Sequence, residues 1–183
     1  MTPLNKLATL LPAPKRNRTF WIPKGKHRSR PLLFIDAEKA RGIQFETVVK
    51  TSWYFDPPKK NGWAKLFGIS AGWNAHKNSA RWVFRNTGPG TLHLGIYCYF
   101  KGTSPQQNTE LKKLIKEVYI GEKLNLSIFR LHASWVFSVD GIMVYKMPCG
   151  DMKSPLFVYK PYMGGTYTIE HDFYATIHYR WAK

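Results

Sequence analysis

Leu124 to Met147 reads LNLSIFRLHASWVFSVDGIMVYKM, with apolar runs at Leu124 to Leu131, Ser134 to Asp140 and Ile142 to Met147. Asp140-Gly141 between two alternating apolar runs suits the left-handed dihedrals of a two-residue hairpin turn, so Trp135 to Met147 is expected to fold as a β-hairpin. The same texture extends outward. Ile43, Phe45, Thr47 and Val49 alternate with Gln44, Glu46, Val48 and Lys50 at the two-residue period of a half-buried strand. Further strands are expected at Lys65 to Ser70, Ala80 to Arg85, Leu92 to Lys101, Lys113 to Ile120, Leu156 to Lys160 and Phe173 to Trp181. Asn61-Gly62, Asn86 to Gly90, Gly102 to Pro105, Gly121 and Gly164-Gly165 supply turns between them. Thr109 to Val118 places Leu111, Leu114, Ile115 and Val118 at helical spacing and reads equally as a turn followed by a strand.

Many short strands at intervals of about ten residues point to an all-β fold, a two-sheet antiparallel sandwich of jelly-roll type. The 183 residues suffice for one domain with a single core. Aromatic residues make up 15% of the chain, in keeping with strands.

Charge is unevenly placed. The formal net charge is +17, from 28 Lys and Arg against 11 Asp and Glu. Residues 1–30 hold Lys6, Lys15, Arg16, Arg18, Lys24, Lys26, Arg28 and Arg30 and no acid, and Pro12, Pro14, Pro23 and Pro31 break any helix there. Residues 1–41 are therefore expected to form a basic arm, with Lys15, Arg16, Arg18, Lys24, Lys26, Arg28 and Arg30 binding a polyanion, and residues 42–183 the sandwich. Residues 18–22 of the arm could add one edge strand. Net charge of this sign selects polyanions as a class without naming one.

The 11 carboxylates can be inspected one by one. Glu170 and Asp172 stand at the alternate spacing of a glycosidase acid pair, around His171. The six histidines are dispersed, so no metal site and no cofactor is expected. No nucleophile motif and no phosphate-cradling loop occurs. Cys98 and Cys149 are expected to be buried free thiols, although one bridge between them is geometrically open. No stretch has the apolar length of a membrane span, and Met1 to Pro12 is too short in its apolar part for a signal peptide. No catalytic residue is assigned, and the chain is expected not to be an enzyme.

Trp63 to Arg85, WAKLFGISAGWNAHKNSARWVFR, is the most unusual segment. Aromatic faces beside amides and guanidinium groups suit a sugar or a nucleobase, which makes Trp73, Asn74, Asn78, Arg81 and Trp82 the candidate contacts. The structural reading is the stronger one: Trp73, Trp82 and Phe84 in the core, Asn74 and Asn78 in turns, and Arg81 or Arg85 paired with a carboxylate.

Lys65-Leu66-Phe67-Gly68, His76 to Trp82, Pro161-Tyr162-Met163-Gly164-Gly165-Thr166 and His171-Asp172 together resemble a family of small β-sandwich proteins of crAss-like phages and related Bacteroidetes genomes. Val83, Met163 and Glu170 depart from that family's glycine, phenylalanine and proline. Leu124 to Lys146 is also similar to concanavalin-like and laminin-G-like sandwiches. The resemblance implies a lectin-like jelly roll in a phage or bacterial setting. The expected function is accordingly a non-enzymatic structural or accessory protein of a virion, located there or in the host cytoplasm during assembly. Its partners would be other virion subunits, with an oligomer plausible and no membrane involved. A carbohydrate-binding module and a non-specific nucleic-acid binder are the alternatives.

Overall fold

A computed structural model describes residues 15–30, 36–37, 40–54, 62–104, 112–163 and 169–182. The strands are β1 (Arg16–Ile22), β2 (Asp36–Ala37), β3 (Gly42–Val48), β4 (Ala64–Ala71), β5 (Ser79–Gly88), β6 (Thr91–Tyr99), β7 (Lys112–Tyr119), β8 (Lys123–Leu131), β9 (Ser134–Val139), β10 (Ile142–Pro148), β11 (Leu156–Tyr159) and β12 (Phe173–Ala182). They form two antiparallel sheets, ordered β1-β12-β3-β8-β9-β10 and β2-β11-β4-β5-β6-β7. One 3-10 turn, Thr51–Trp53, is the single helical element among the described residues. The expected two-sheet sandwich is the observed architecture. Residues 112–118 of the ambiguous segment are strand, and residues 109–111 lie outside the described set.

Alternation produces the core. Phe20, Phe45, Phe67, Trp82, Phe84, Phe137, Phe173 and Tyr179 point between the sheets and are essentially inaccessible to water. Trp53, carried on the 3-10 turn, closes one end by stacking on Phe84 and Phe173, with ring centroids 5.1 and 5.8 Å away. Its indole N–H donates to the Tyr174 carbonyl at 2.8 Å. The β9–β10 hairpin turns where expected, and Asp140 and Gly141 have φ of 51° and 80°, the left-handed pair that a two-residue turn of this hand requires.

The first described residues of the basic segment are built into the sandwich. β1 pairs with β12 from Arg16↔Tyr179 to Ile22↔Phe173, and burial of Phe20 and Ile22 holds it there. The chain then turns at Pro23 to Lys26 and returns along itself, with Trp21 and Arg30 exchanging both backbone hydrogen bonds at 3.0 and 2.7 Å. Cys98 and Cys149 are both buried and unbridged. Desolvation pushes both thiols up, which keeps them un-ionised and poorly reactive. Among the described residues no helix is long and apolar enough to cross a membrane.

Candidate functional site

The outer face of the second sheet departs from an ordinary solvent face. Tyr159, Gly68, Arg81 and Tyr97 are cross-strand neighbours on β11, β4, β5 and β6 and form one row. The next row runs Phe157, Ser70, Ser79, Tyr99. On the other side of the Arg81 row, Lys65, Val83 and Gly95 are neighbours, followed by Arg85 and His93. A bulge between Lys65 and Phe67 lets Leu66 and Phe67 both enter the core while Lys65 and Gly68 stay on the outer face.

Two glycines shape the rows. A Cβ on Gly68 would stand 2.7 Å from Cγ of Arg81, so the bare backbone makes the groove in which the arginine stem lies. A Cβ on Gly95 would stand 2.7 Å from the Trp63 ring, which therefore occupies the space a side chain there would need. Aromatic rings and cations then interleave. The Arg81 guanidinium sits 4.6 Å from the Tyr159 ring centre, and that of Arg85 sits 4.9 Å from Trp63. The Lys65 amine lies 5.2 Å from the rings of both Tyr97 and Tyr162.

The buried cations at the centre of this face have no acidic partner among the described residues. Arg81 is only 8% exposed, its Nε has no hydrogen-bond partner, and no carboxylate pairs with it among the described residues. Burial lowers its pKa; the surrounding groups that offset the shift are Tyr159, Tyr99, Tyr97 and Cys98, none of them an acid. Lys65 also has no acidic partner among the described residues. Burial, reinforced by the neighbouring Arg81 charge, brings its pKa from 10.5 down to about 8. A buried cation without a counter-ion is costly, and an anion arriving from outside would offset that cost.

The other basic clusters are differently balanced. On the outer face of the first sheet, Lys15 and Lys123 both contact Glu46, at 3.1 and 3.4 Å, in a hollow also lined by Lys50, Thr176 and His178. The Lys15 ammonium holds the Glu46 carboxyl below its usual range. Arg16, Arg18, Lys24, Lys26, Arg28 and Arg30 are exposed, as surface charges of an ordinary kind.

The five candidate contacts divide. Arg81 lies at the centre of the face just described. Trp73 is 72% exposed; its ring packs on Phe157 at 4.4 Å and its carbonyl accepts from the Tyr159 hydroxyl at 2.8 Å. Asn74 accepts from the His76 N–H and Asn78 from the Lys101 N–H, at 2.9 and 3.2 Å, so both side chains organise turns. Trp82, adjacent to Arg81 in sequence, points the opposite way into the core, where its indole N–H donates to the Ser127 carbonyl at 3.3 Å. Glu170 is exposed and Asp172 is engaged by the Lys24 N–H at 2.8 Å and the Tyr174 hydroxyl at 3.1 Å, so this pair organises a loop and does not face a cleft as two opposed acids. Lys65, Tyr97, Tyr159 and Tyr162 were not singled out from the sequence, because nothing in a linear pattern says that a bulge and two glycines bring them around Arg81.

No protein-family model matches the chain, and no curated protein does. Solved structures do match. An alginate lyase from Alteromonas sp. 272 aligns with a TM-score of 0.52 and 13% identity over 91% of this chain and 88% of its own. A laminarinase from Flavobacterium sp. UMI-01 gives 0.54 and 13%, over 91% and 79%. A Crh5 transglycosylase in complex with NAG gives 0.56 and 12%, over 90% and 72%. At these identities the likeness shows the fold, and it agrees with the concanavalin-like sandwich that the sequence resemblance implied; the phage family finds no support. The expectation of a non-enzymatic virion protein is corrected. The matched structures just named are carbohydrate-directed enzymes, and a cationic, tyrosine-rich face leaves no acid pair, nucleophile motif or metal cluster in the sequence to mark it.

Proposed function

We propose that the chain is a carbohydrate-active protein that binds an acidic polysaccharide, a polyuronate, across the outer face of the second sheet and cleaves it by elimination. The observation that carries this reading is the buried Arg81 guanidinium with no acidic partner among the described residues, ringed by Tyr97, Tyr99 and Tyr159. A uronate carboxylate would supply the missing charge, while tyrosine and tryptophan rings suit the C–H faces of sugars. The alginate lyase among the fold's neighbours supports the same substrate class.

Hydrolysis by two opposed carboxylates has no candidates on this face, where Glu117, hydrogen-bonded to the Tyr119 hydroxyl at 3.3 Å, is the acid present among the described residues. Elimination asks for other things. The carboxylate must be neutralised so that the adjacent carbon becomes acidic, and a proton acceptor must stand nearby. Cations and tyrosines meet those needs.

The test compares alginate and polygalacturonate with the neutral glucan laminarin, following both binding and the ultraviolet absorbance of unsaturated uronate ends. Binding and cleavage confined to the acidic polymers, lost in Arg81→Met, are expected. Equal binding to laminarin, or an Arg81→Met variant that binds polyuronate as the parent does, would overturn the reading.

A further inference from the structure

Lys65 is the group on this face whose surroundings are hardest to explain as structure alone. Its amine is held between the rings of Tyr97, from β6, and Tyr162, which follows β11. Its backbone is fastened by reciprocal hydrogen bonds with Tyr162, at 2.8 and 2.9 Å. Arg81, on β5, is the charged neighbour that acts on it, and His27 stacks on Tyr162 with ring centres 6.0 Å apart. A lysine serving only to anchor a fold is ordinarily paired with an acid or snorkels into water. This one has no acid beside it among the described residues, and its amine is lodged between two tyrosine rings.

We infer that Lys65 is the proton acceptor of the elimination, acting on a uronate whose carboxylate is held by Arg81. The inference rests on the function proposed above and assigns the chemistry within it. The neutral amine takes the hydrogen from carbon 5; that C–H electron pair forms the double bond between carbons 4 and 5, and the bond from carbon 4 to the glycosidic oxygen breaks. The ammonium then gives its proton to the departing oxygen, which regenerates the neutral amine and balances the step. One group performing both transfers must work from one side of the ring. The substrate class is therefore a uronate whose C5 hydrogen and C4 oxygen lie on the same face.

The lowered basicity of Lys65 fits this task, because a proton acceptor works best when its own proton is lost near the working pH. Arg81 cannot substitute for it, since a guanidinium stays protonated.

The experiment measures binding and formation of unsaturated ends by the full chain, Lys65→Met and Lys65→Arg across the pH range, using polyuronates of both configurations. The expected result is a parent rate that rises with pH to a plateau through an inflection near 8. Lys65→Met should lose cleavage by about 100-fold or more with binding retained, and Lys65→Arg should lack the inflection. In parallel, the Lys65 amine, identified by NMR as the lysine signal absent from Lys65→Arg, should titrate near the same pH in the free protein. Parent cleavage that survives in Lys65→Met, or an inflection unchanged in Lys65→Arg, overturns the role of Lys65 and leaves the proposed function standing. A parent that neither binds nor cleaves any polyuronate overturns both.

Discussion

Replacing Lys65 with Met removes a charge whose cost can be read as a dependence of stability on pH. In the folded chain the Lys65 pKa lies at about 8, against 10.5 for the free side chain, chiefly because burial disfavours the ammonium. The depressed value means that the unfolded chain holds this proton more tightly than the folded one. Stability from this group is therefore fully present above pH 10.5 and is lost as pH falls through about 8. The full difference corresponds to about 3 kcal/mol, reduced to about 2 by solvent screening at a partly open site. Urea denaturation of parent and Lys65→Met at a series of pH values isolates the effect, since every other titrating group is common to both. The parent should gain about 2 kcal/mol on the variant between about pH 7 and about pH 10. A difference that stays level across that range, or changes in the other direction, would refute the placement of Lys65 as an unpaired, desolvated cation.

Three further outcomes follow from the packing. Trp73→Ala, at a side chain 72% exposed, should leave the denaturation midpoint nearly unchanged but weaken polyuronate binding by about 1–3 kcal/mol in calorimetry if the ring stacks on sugar. Gly95→Ala puts a Cβ 2.7 Å from both the Trp63 ring and the Lys113 carbonyl; it should lift Trp63 off the strand, cost about 1–3 kcal/mol in denaturant and alter tryptophan fluorescence. Trp82→Ala should cost about 3–5 kcal/mol by opening a cavity between the sheets.

The fold was largely legible in the sequence because each strand buries one face, and period-two alternation writes that face into the residues. Ile43, Phe45 and Thr47 were read as one buried face, and all three are buried. β2 escaped notice because two residues, Asp36–Ala37, are too few to show a period. The site was legible only in part. Arg81 and Trp73 stood out by residue type, yet alternation along β5 sends Trp82 to the core, away from Arg81, and that depends on which parity faces inward. Nothing in the linear sequence around Lys65 marks it as a site residue. What distinguishes it is the company of Tyr97 and Tyr162, separated from it by 32 and 97 positions and joined to it only by sheet register and the bridge Lys65↔Tyr162. The large net charge draws attention to the exposed basic residues near the N-terminus, whereas Lys65 and Arg81, largely buried and without an acidic partner among the described residues, lie in the sheet. Exposure relieves the first group; burial makes the second informative.

The most direct test of the account is a titration of the isotopically labelled chain with a short oligouronate, mapping amide shift changes onto the two sheets. The account predicts saturable changes centred on Lys65, Arg81, Tyr97 and Tyr159, absent with a neutral oligosaccharide and weakened by salt. Changes centred instead on the hollow around Lys15, Glu46 and Lys123, with the Arg81 row unmoved, would contradict it.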